Sequence, residues 1–196
     1  MIHKNKGIKL NCRNIGTFCV VIMEFTLGVA TEEDLLALVD LVQTCYRGDS
    51  SRKGWTTEAD FLDGNRTTPR MMKSQLTTPG ATTLKYTNQE GKIIGCVYTE
   101  HLKKDKKMYV GMLCIHPDFQ SHGLGKKMMT AVDDLAKEKD CTAERMFVIS
   151  QRLELIKWYE KIGFSHTGET EPFPAASEEF GIPKVPLEFI VLEKKL

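Results

Sequence analysis

A strand-like run that leads through a glycine-bearing loop into an amphipathic segment constrains this chain more than any other feature. The run ends at Pro117, the loop carries Gln120-x-x-Gly123-x-Gly125, and the amphipathic segment begins at once. Backbone N–H groups at a helix start have no intrahelical partner, and the helix dipole favours negative charge there. Glycine lets the backbone approach a ligand closely. This order of elements therefore predicts a site for a phosphate-bearing ligand.

The spacing of the loop excludes two common phosphate motifs. A dinucleotide fingerprint needs Gly-x-Gly-x-x-Gly, and a P-loop needs Gly-x-x-x-x-Gly-Lys-Ser/Thr. Here the residue five before Gly125 is Gln120, and Lys126 is followed by Lys127. The loop does fit the pattern Arg/Gln-x-x-Gly-x-Gly/Ala. Taken alone, it also fits an ordinary glycine-rich turn between a strand and a helix.

A second informative element, a strand followed by a helix, lies downstream of the loop. Residues 145–150 are typical of a strand, and the helix-like segment after them ends in Tyr159-Glu-Lys-Ile-Gly163-Phe164. Gly163 is well placed to be the left-handed residue just past a helix end. Together the two elements resemble the GNAT N-acetyltransferase superfamily, which carries the first one between its fourth strand and third helix. The resemblance spans residues 25–196.

The remaining patterns predict one α/β (α+β) domain with a mixed, mostly antiparallel sheet flanked by helices. Strands are expected at residues 24–29, 81–87, 92–100, 108–115, 145–150, 165–170 and 187–195. Helices are expected at residues 31–46 and 124–139, with a helical, arginine-rich insertion at 46–76 whose helices start near Thr56 and Thr68. A long proline-rich loop is expected at residues 171–186. The resemblance implies a GNAT fold, splayed between the fourth and fifth strands.

The N-terminal segment is interpreted as an extension of the domain and not as a membrane anchor. Basic residues precede an apolar run at 15–23, which is too short to span a bilayer. Cleavage near Ala30 would remove the first expected strand, which argues against a secretory signal. We therefore expect residues 1–22 to be an extension, or sequence upstream of a start at Met23, and residues 23–196 to form the acetyltransferase domain.

Composition indicates which binding partners and which cellular compartment suit this chain. The formal net charge of +1 argues against nucleic acid as a partner, because such binding rests on excess Lys and Arg. The six cysteines form no Cys-x-x-Cys pair and have no spacing suited to zinc. Reduced thiols, a cytoplasmic location, no metal and no membrane partner are the expectations, and a homodimer is left open.

The resemblance implies acetyl-CoA as co-substrate. Backbone amides from Gln120 to Lys126 would hold its pyrophosphate, with side-chain contacts from Ser121 and His122 and charge from Lys126. The fourth strand would pair its backbone with the pantetheine arm and polarise the thioester carbonyl. The expected cofactor-binding residues are Leu113, Cys114, Ile115, Gln120, Ser121, His122, Gly123, Leu124, Gly125 and Lys126.

Two catalytic residues are predicted. Tyr159 occupies the position of the family's tyrosine acid, and its ordinary pKa of about 10 keeps it protonated for donation to a thiolate. Its alternative role is that of a core aromatic. Many family members place a glutamate in the fourth strand, but residues 108–115 contain no acid. Glu100 is the predicted base. Other candidates for this role are His116, Glu154 and Glu188.

Acceptor contacts are expected from the insertion and from the proline-rich loop, because arginine beside aromatics suits a carboxylate or phosphate. The candidates are Arg47, Arg52, Trp55, Arg66, Phe173, Phe180 and Lys184. These side chains also suit packing and capping of the insertion. The resemblance implies acetyl transfer to an amine of a small molecule or peptide by direct attack. An acyl-CoA-binding regulatory or scaffold domain without turnover is the alternative, and an unrelated phosphate-binding fold is a third.

Overall fold

A seven-stranded sheet forms the centre of the computed structural model, which describes residues 25–177 and 181–196. The strands are β1 (Thr26–Val29), β2 (Ala81–Thr87), β3 (Ile93–Leu102), β4 (Lys107–Ile115), β5 (Ala143–Ile149), β6 (Ser165–Pro172) and β7 (Glu188–Lys195). Their spatial order is β1-β2-β3-β4-β5-β7-β6. The expected extension at 1–22 lies outside the described residues. All neighbouring strands are antiparallel except β4 and β5, which confirms the mixed, mostly antiparallel sheet.

Helices cover both faces of the sheet. They are α1 (Leu35–Tyr46), α2 (Gly48–Ser51), α3 (Pro69–Thr77), α4 (Leu124–Glu138) and α5 (Leu153–Lys161). One buried cluster joins α1 and α3 to one face, and another joins α4 and α5 to the other. Neighbouring residues of a strand go to opposite clusters, as Met112 and Leu113 do, because side chains alternate across a sheet. Within the described ranges, none of the helices has the length and apolar character needed to cross a membrane.

The insertion between β1 and β2 differs from the sequence prediction. A helix was expected to start near Thr56, but the helical turn is α2, and residues 56–61 are irregular. The hydroxyls of Ser51 and Thr57 are 2.6 Å apart and bond to each other, and Thr57 also accepts a hydrogen bond from the backbone of Ala59. The Thr57 hydroxyl therefore closes a turn and does not cap a helix. Two short strands, Leu62–Asp63 and Ile182–Pro183, pair antiparallel and join the insertion to the proline-rich loop.

The sheet opens between β4 and β5, as expected. These strands pair in parallel only from Lys107 to Tyr109, opposite Ala143 to Arg145, and have no further ladder beyond that point. On its other side β4 carries a bulge where its register with β3 shifts, and Met112 there has a φ of 53°. A bulge bends a strand and re-aims its side chains. The bend therefore accompanies an opening at the C-terminal halves of β4 and β5.

Candidate active site

The start of α4 presents free backbone donors to open space. The first helical bond runs from the N–H of Lys127 to the carbonyl of Gly123, at 3.1 Å, so the amides just before Lys127 have no intrahelical partner. Gly123 has a φ of 71°, and a Cβ atom there would meet nothing within 4 Å. The amide of Gln120 differs, because it donates to the carbonyl of Pro117 at 3.2 Å. The free donors therefore follow Gln120.

A cavity of about 260 Å³, the α4 cavity, lies in front of this helix start. Nine of the ten expected cofactor-binding residues line it. They are Leu113, Cys114, Ile115, Gln120, Ser121, Gly123, Leu124, Gly125 and Lys126. The tenth, His122, does not line it, and its Nδ1 lies 3.3 Å from the carbonyl oxygen of Phe119 on the surface. The rest of the lining comes from Trp55, Thr56, Leu155, Trp158 and Tyr159.

The side chain of Gln120 connects the loop to the insertion. Its Nε2 donates to the carbonyl of Ile115 at 2.7 Å, and its Oε1 accepts from the backbone N–H of Trp55 at 2.9 Å. A Cβ atom on Gly54 would lie 2.9 Å from Nε2, so a larger residue there would displace the Gln120 side chain. Arg152 also donates to the carbonyl of Trp55, at 2.5 Å. Trp55 was expected on the acceptor side, but these bonds hold it at the α4 cavity.

A small cavity of about 70 Å³, the passage, lies in the opening between β4 and β5. Leu113, Leu155 and Tyr159 line both the passage and the α4 cavity. Tyr159 is 6% exposed and packs edge-on against Trp158 and Phe164. Burial raises the pKa of Tyr159, opposed by the charge of Arg152. The phenol therefore stays protonated at neutral pH and lies where the two cavities meet.

A third cavity of about 410 Å³, the aromatic cavity, adjoins the passage on the other side. Seven residues line both of them, namely Glu58, Arg66, Gly111, Met112, Phe147, Ile149 and Phe189. Its aromatic lining consists of Tyr98, Tyr109, Phe147, Phe173 and Phe189. Its charged lining consists of Arg47, Glu58, Arg66 and Glu171. The three cavities therefore run in sequence from the start of α4, through the split sheet, to an aromatic and charged chamber.

Glu58 is a residue that the sequence reasoning missed. Its carboxylate pairs with the buried guanidinium of Arg47 and lies 3.7 Å from Nε of Arg66. Arg66 in turn stacks on the ring of Tyr46, whose hydroxyl donates to the carbonyl of Leu113 at 2.8 Å. In the sequence, Glu58 is typical of an acidic first turn of a helix. The only signal that could have indicated this site was the number of arginines nearby.

The candidate bases lie at different places. Glu100 lines none of the three cavities, but it accepts a 2.9 Å hydrogen bond from the hydroxyl of Tyr98, which lines the aromatic cavity. The ring of His116 accepts a hydrogen bond from the N–H of Asp118 at the end of β4. Glu154 and Glu188 are exposed and line none of the three cavities. Glu100 is therefore the candidate whose carboxylate bonds a side chain of the cavity lining.

The remaining acceptor candidates separate into two groups. Phe173 lines the aromatic cavity, together with Arg47 and Arg66. Arg52 instead pairs with Asp60 on the surface at 2.6 Å. Lys184 bonds the carbonyl of Ala59 and the carboxylate of Asp63, which ties the proline-rich loop to the insertion. Phe180 lies outside the described residues. Within residues 25–177 and 181–196, no group of three His, Cys, Asp or Glu side chains is suited to a metal ion.

Comparison with known proteins identifies the architecture. A family model described as an acetyltransferase (GNAT) domain matches residues 49–187. An acetyltransferase of the GNAT family from Streptococcus pneumoniae has a TM-score of 0.61 and 18% identity, covering 88% of this chain and 100% of its own. The ribosomal-protein-S18-alanine N-acetyltransferase of Escherichia coli has a TM-score of 0.65 and 14% identity, covering 87% and 93%. A search of curated proteins finds no match.

Proposed function

The chain belongs to the GNAT acetyltransferase family, and we propose that it transfers an acetyl group from acetyl-CoA to a primary amine of a small molecule or peptide. The observation that carries this proposal is the position of Tyr159 and Leu113, which line both the α4 cavity and the passage. A thioester held from one side and an amine entering from the other would meet beside a buried phenol. The acetyltransferase class follows from the family, and the amine acceptor is our proposal.

The residues around the α4 cavity suit acetyl-CoA, which supplies the acetyl group as a thioester. Free amides at the start of α4 would hold the pyrophosphate, with Lys126 adding a positive charge. The backbone of Leu113, Cys114 and Ile115 would bind the pantetheine arm, and an N–H of this strand would polarise the thioester carbonyl. Ser121 lines the cavity and would contribute its hydroxyl, and His122 remains a proposed surface contact.

The proposed chemistry is direct attack. The amine nitrogen forms a bond to the acetyl carbon, the carbon–sulfur bond breaks, and the departing thiolate takes the proton of Tyr159. The amine loses one proton during the same sequence. We assign that proton to Glu100 through the hydroxyl of Tyr98, which passes its own proton to the carboxylate. Exchange with solvent then restores Tyr159 and Glu100.

Two further proposals concern the chain as a whole. We propose that residues 23–196 form the acetyltransferase domain and that residues 1–22 are an extension to it. We also propose a cytoplasmic location, which is supported by the free thiols of Cys45, Cys96, Cys114 and Cys141.

An acyl-CoA-binding domain without turnover is the second candidate function. Two observations favour it: β4 (Lys107–Ile115) carries no acidic residue, and the carboxylate that lines the passage, Glu58, is already paired with Arg47. Such a protein would bind acetyl-CoA in the α4 cavity and release no CoA in the presence of amines. Turnover therefore separates the two functions.

A CoA-release assay with acetyl-CoA and mixed amines tests the proposal. We expect amine-dependent release from the wild type, and a Tyr159→Phe variant with kcat lower by about 100-fold because it lacks the acid. Tyr86→Phe is the control, since Tyr86 is also buried but lines none of the three cavities. Binding of acetyl-CoA without any amine-dependent release would favour the second function.

A further inference from the structure

We propose that the acceptor resembles an α-amino acid: its amine lies a few bonds from an anionic group, and it carries an apolar side chain. This inference rests on the proposed function, because it names the substrate class of the same site. Arg66 would bind the anion, and the aromatic wall would bind the side chain. The product would be the N-acetylated form of that anion, together with CoA.

Arg66 has the free hydrogen-bonding capacity that an anion requires. Its Nε lies 3.7 Å from Glu58, and its guanidinium carbon lies 5.0 Å from the centre of the Tyr46 ring. Neither of its terminal nitrogens has a partner among the residues that the structure describes. A guanidinium presents donors in a planar fork that matches a carboxylate or phosphoryl group in two parallel bonds. The contact with the Tyr46 ring limits how far the guanidinium can move.

Arg47, Arg66 and Glu58 together carry a net positive charge. Arg47 and Arg66 share one carboxylate, that of Glu58, and the side chain of Arg47 is only 3% exposed. Within the described part of the chain, Nε of Arg47 is buried and has no hydrogen-bond partner. This nitrogen is closed off from the cavity, so Arg47 would act on a bound anion through its positive charge. Glu171, the other carboxylate of the aromatic cavity, is exposed.

The position of Arg66 limits the length of the acceptor. It lines the passage as well as the aromatic cavity, and the passage is where the amine must meet the thioester. An anion held by Arg66 must therefore be separated from the reacting nitrogen by only a few bonds. Long polyamines do not meet this requirement, and their additional cations would be repelled by Arg47 and Arg66.

The aromatic rings form a continuous wall for an apolar side chain. Successive ring centres are separated by 5.9 Å from Tyr109 to Phe147, 6.3 Å from Phe147 to Phe189, and 5.0 Å from Phe189 to Phe173. Phe147 and Phe189 also border the passage. A side chain branching from the carbon that carries both the amine and the anion would reach this wall. These three requirements define an amino acid with an apolar or aromatic side chain.

Matched acceptors test the inference by CoA release. Phenylalanine, its aminophosphonic acid analogue and phenethylamine share one skeleton and differ only at the anionic group, and spermidine represents the polyamines. We expect kcat/KM for phenylalanine or for the phosphonate to exceed that for phenethylamine by about tenfold or more, in line with a paired charge-assisted contact. The better of the two anions identifies the group that Arg66 prefers.

Variants of Arg66 test whether its side chain causes the preference for the anionic acceptor. Arg66→Gln should remove the advantage of the anionic acceptor, and Arg66→Lys should restore part of it. Arg52→Gln is the matched control, because Arg52 pairs with Asp60 outside the three cavities and should leave the preference intact. Equal use of phenethylamine and phenylalanine, or a preference for spermidine, would overturn the inference and leave acetyl transfer standing.

A binding experiment tests the inference even if the protein does not catalyse acetyl transfer. Calorimetric titration of the CoA-saturated protein with phenylalanine and with phenethylamine measures the same preference without chemistry. Tighter binding of phenylalanine that Arg66→Gln abolishes would support the anion site even in a protein that releases no CoA. Equal or absent binding of both ligands would overturn it. CoA release therefore tests the proposed function. The preference for phenylalanine over phenethylamine tests this inference.

Discussion

The α4 cavity and the aromatic cavity lie on either side of one passage but are built from different parts of the chain. Most of the α4 cavity comes from residues 113–126, and the free amides at the start of α4 belong to this stretch. The aromatic cavity collects charged and aromatic side chains from separate segments between Arg47 and Phe189. Binding in the first therefore depends on backbone geometry, and binding in the second on side-chain identity. Substitutions should affect the two regions independently.

The largest effect should come from the buried pair in the aromatic cavity. Glu58→Gln leaves the guanidinium of Arg47 without its carboxylate, and breaking a buried pair costs about 3 kcal/mol of unfolding free energy. Urea unfolding measures this loss, and acetyl-CoA affinity should stay within about twofold if the regions are independent. Glu171→Gln, at the exposed carboxylate of the same cavity, should change stability by less than about 0.5 kcal/mol. Equal losses in both variants would contradict the pairing.

The proton path should give the next largest effect. Glu100→Gln removes the proposed base and should lower kcat/KM by about 100-fold near neutral pH. Burial raises the pKa of Tyr98, and its hydrogen bond to Glu100 raises it further, so the phenol relays its proton without ionising. Tyr98→Phe should reproduce the effect of Glu100→Gln. Unchanged kcat/KM in Glu100→Gln would remove Glu100 from the mechanism.

Gln120 tests whether the α4 cavity also depends on a side chain. It joins the end of β4 to the insertion through bonds to Ile115 and Trp55. Gln120→Ala should weaken acetyl-CoA binding by up to about tenfold, because without these two bonds, each worth about 1 kcal/mol, the loop and the insertion must be ordered when the ligand binds. Gln151→Ala is the control, because Gln151 also donates to a backbone carbonyl, that of Pro186, away from the cavities. Unchanged acetyl-CoA affinity in Gln120→Ala would show that the α4 cavity does not depend on this side chain.

A carboxyl far from both cavities should affect stability alone. Glu144 is fully buried, and burial, followed by the neighbouring Asp133, raises its pKa to about 8 from 4.5. Between these values the folded state holds a proton that the unfolded state has lost. Stability should therefore fall as pH rises, by at most about 1.4 kcal/mol per pH unit. Glu144→Gln should flatten this slope in urea unfolding between pH 5 and about 8, and an unchanged slope would assign it to other groups.

The same contrast explains which features could be predicted from the sequence. Residues 109–126 and 145–164 were readable because strand, loop and helix end follow one another along the chain, so local chemistry determines their geometry. The mixed sheet followed from the order of strand and helix patterns, and its opening between β4 and β5 from the resemblance that these segments carry. Nine of the ten expected cofactor residues line one cavity for the same reason. Their roles remain predictions.

The aromatic cavity could not be read in this way, because tertiary contacts assemble it. Thr57 bonds to Ser51 and not to a helix start, so the expected helix near Thr56 is absent. Glu58 then pairs with Arg47, eleven residues away, instead of facing solvent. Trp55 is held at the α4 cavity by the distant Gln120 and Arg152. None of these pairings has a local pattern in the sequence.

Calorimetric titration with acetyl-CoA tests the central claim most directly. Gly123 and Gly91 both have a positive φ, 71° and 79°, and a Cβ atom on either would meet nothing within 4 Å. A glutamate at either position therefore carries a similar backbone penalty, but only Gly123→Glu puts a carboxylate at the start of α4. We predict saturable binding to the wild type and to Gly91→Glu, and affinity at least about 100-fold weaker in Gly123→Glu. No binding to the wild type, or equal binding to all three proteins, would contradict the account.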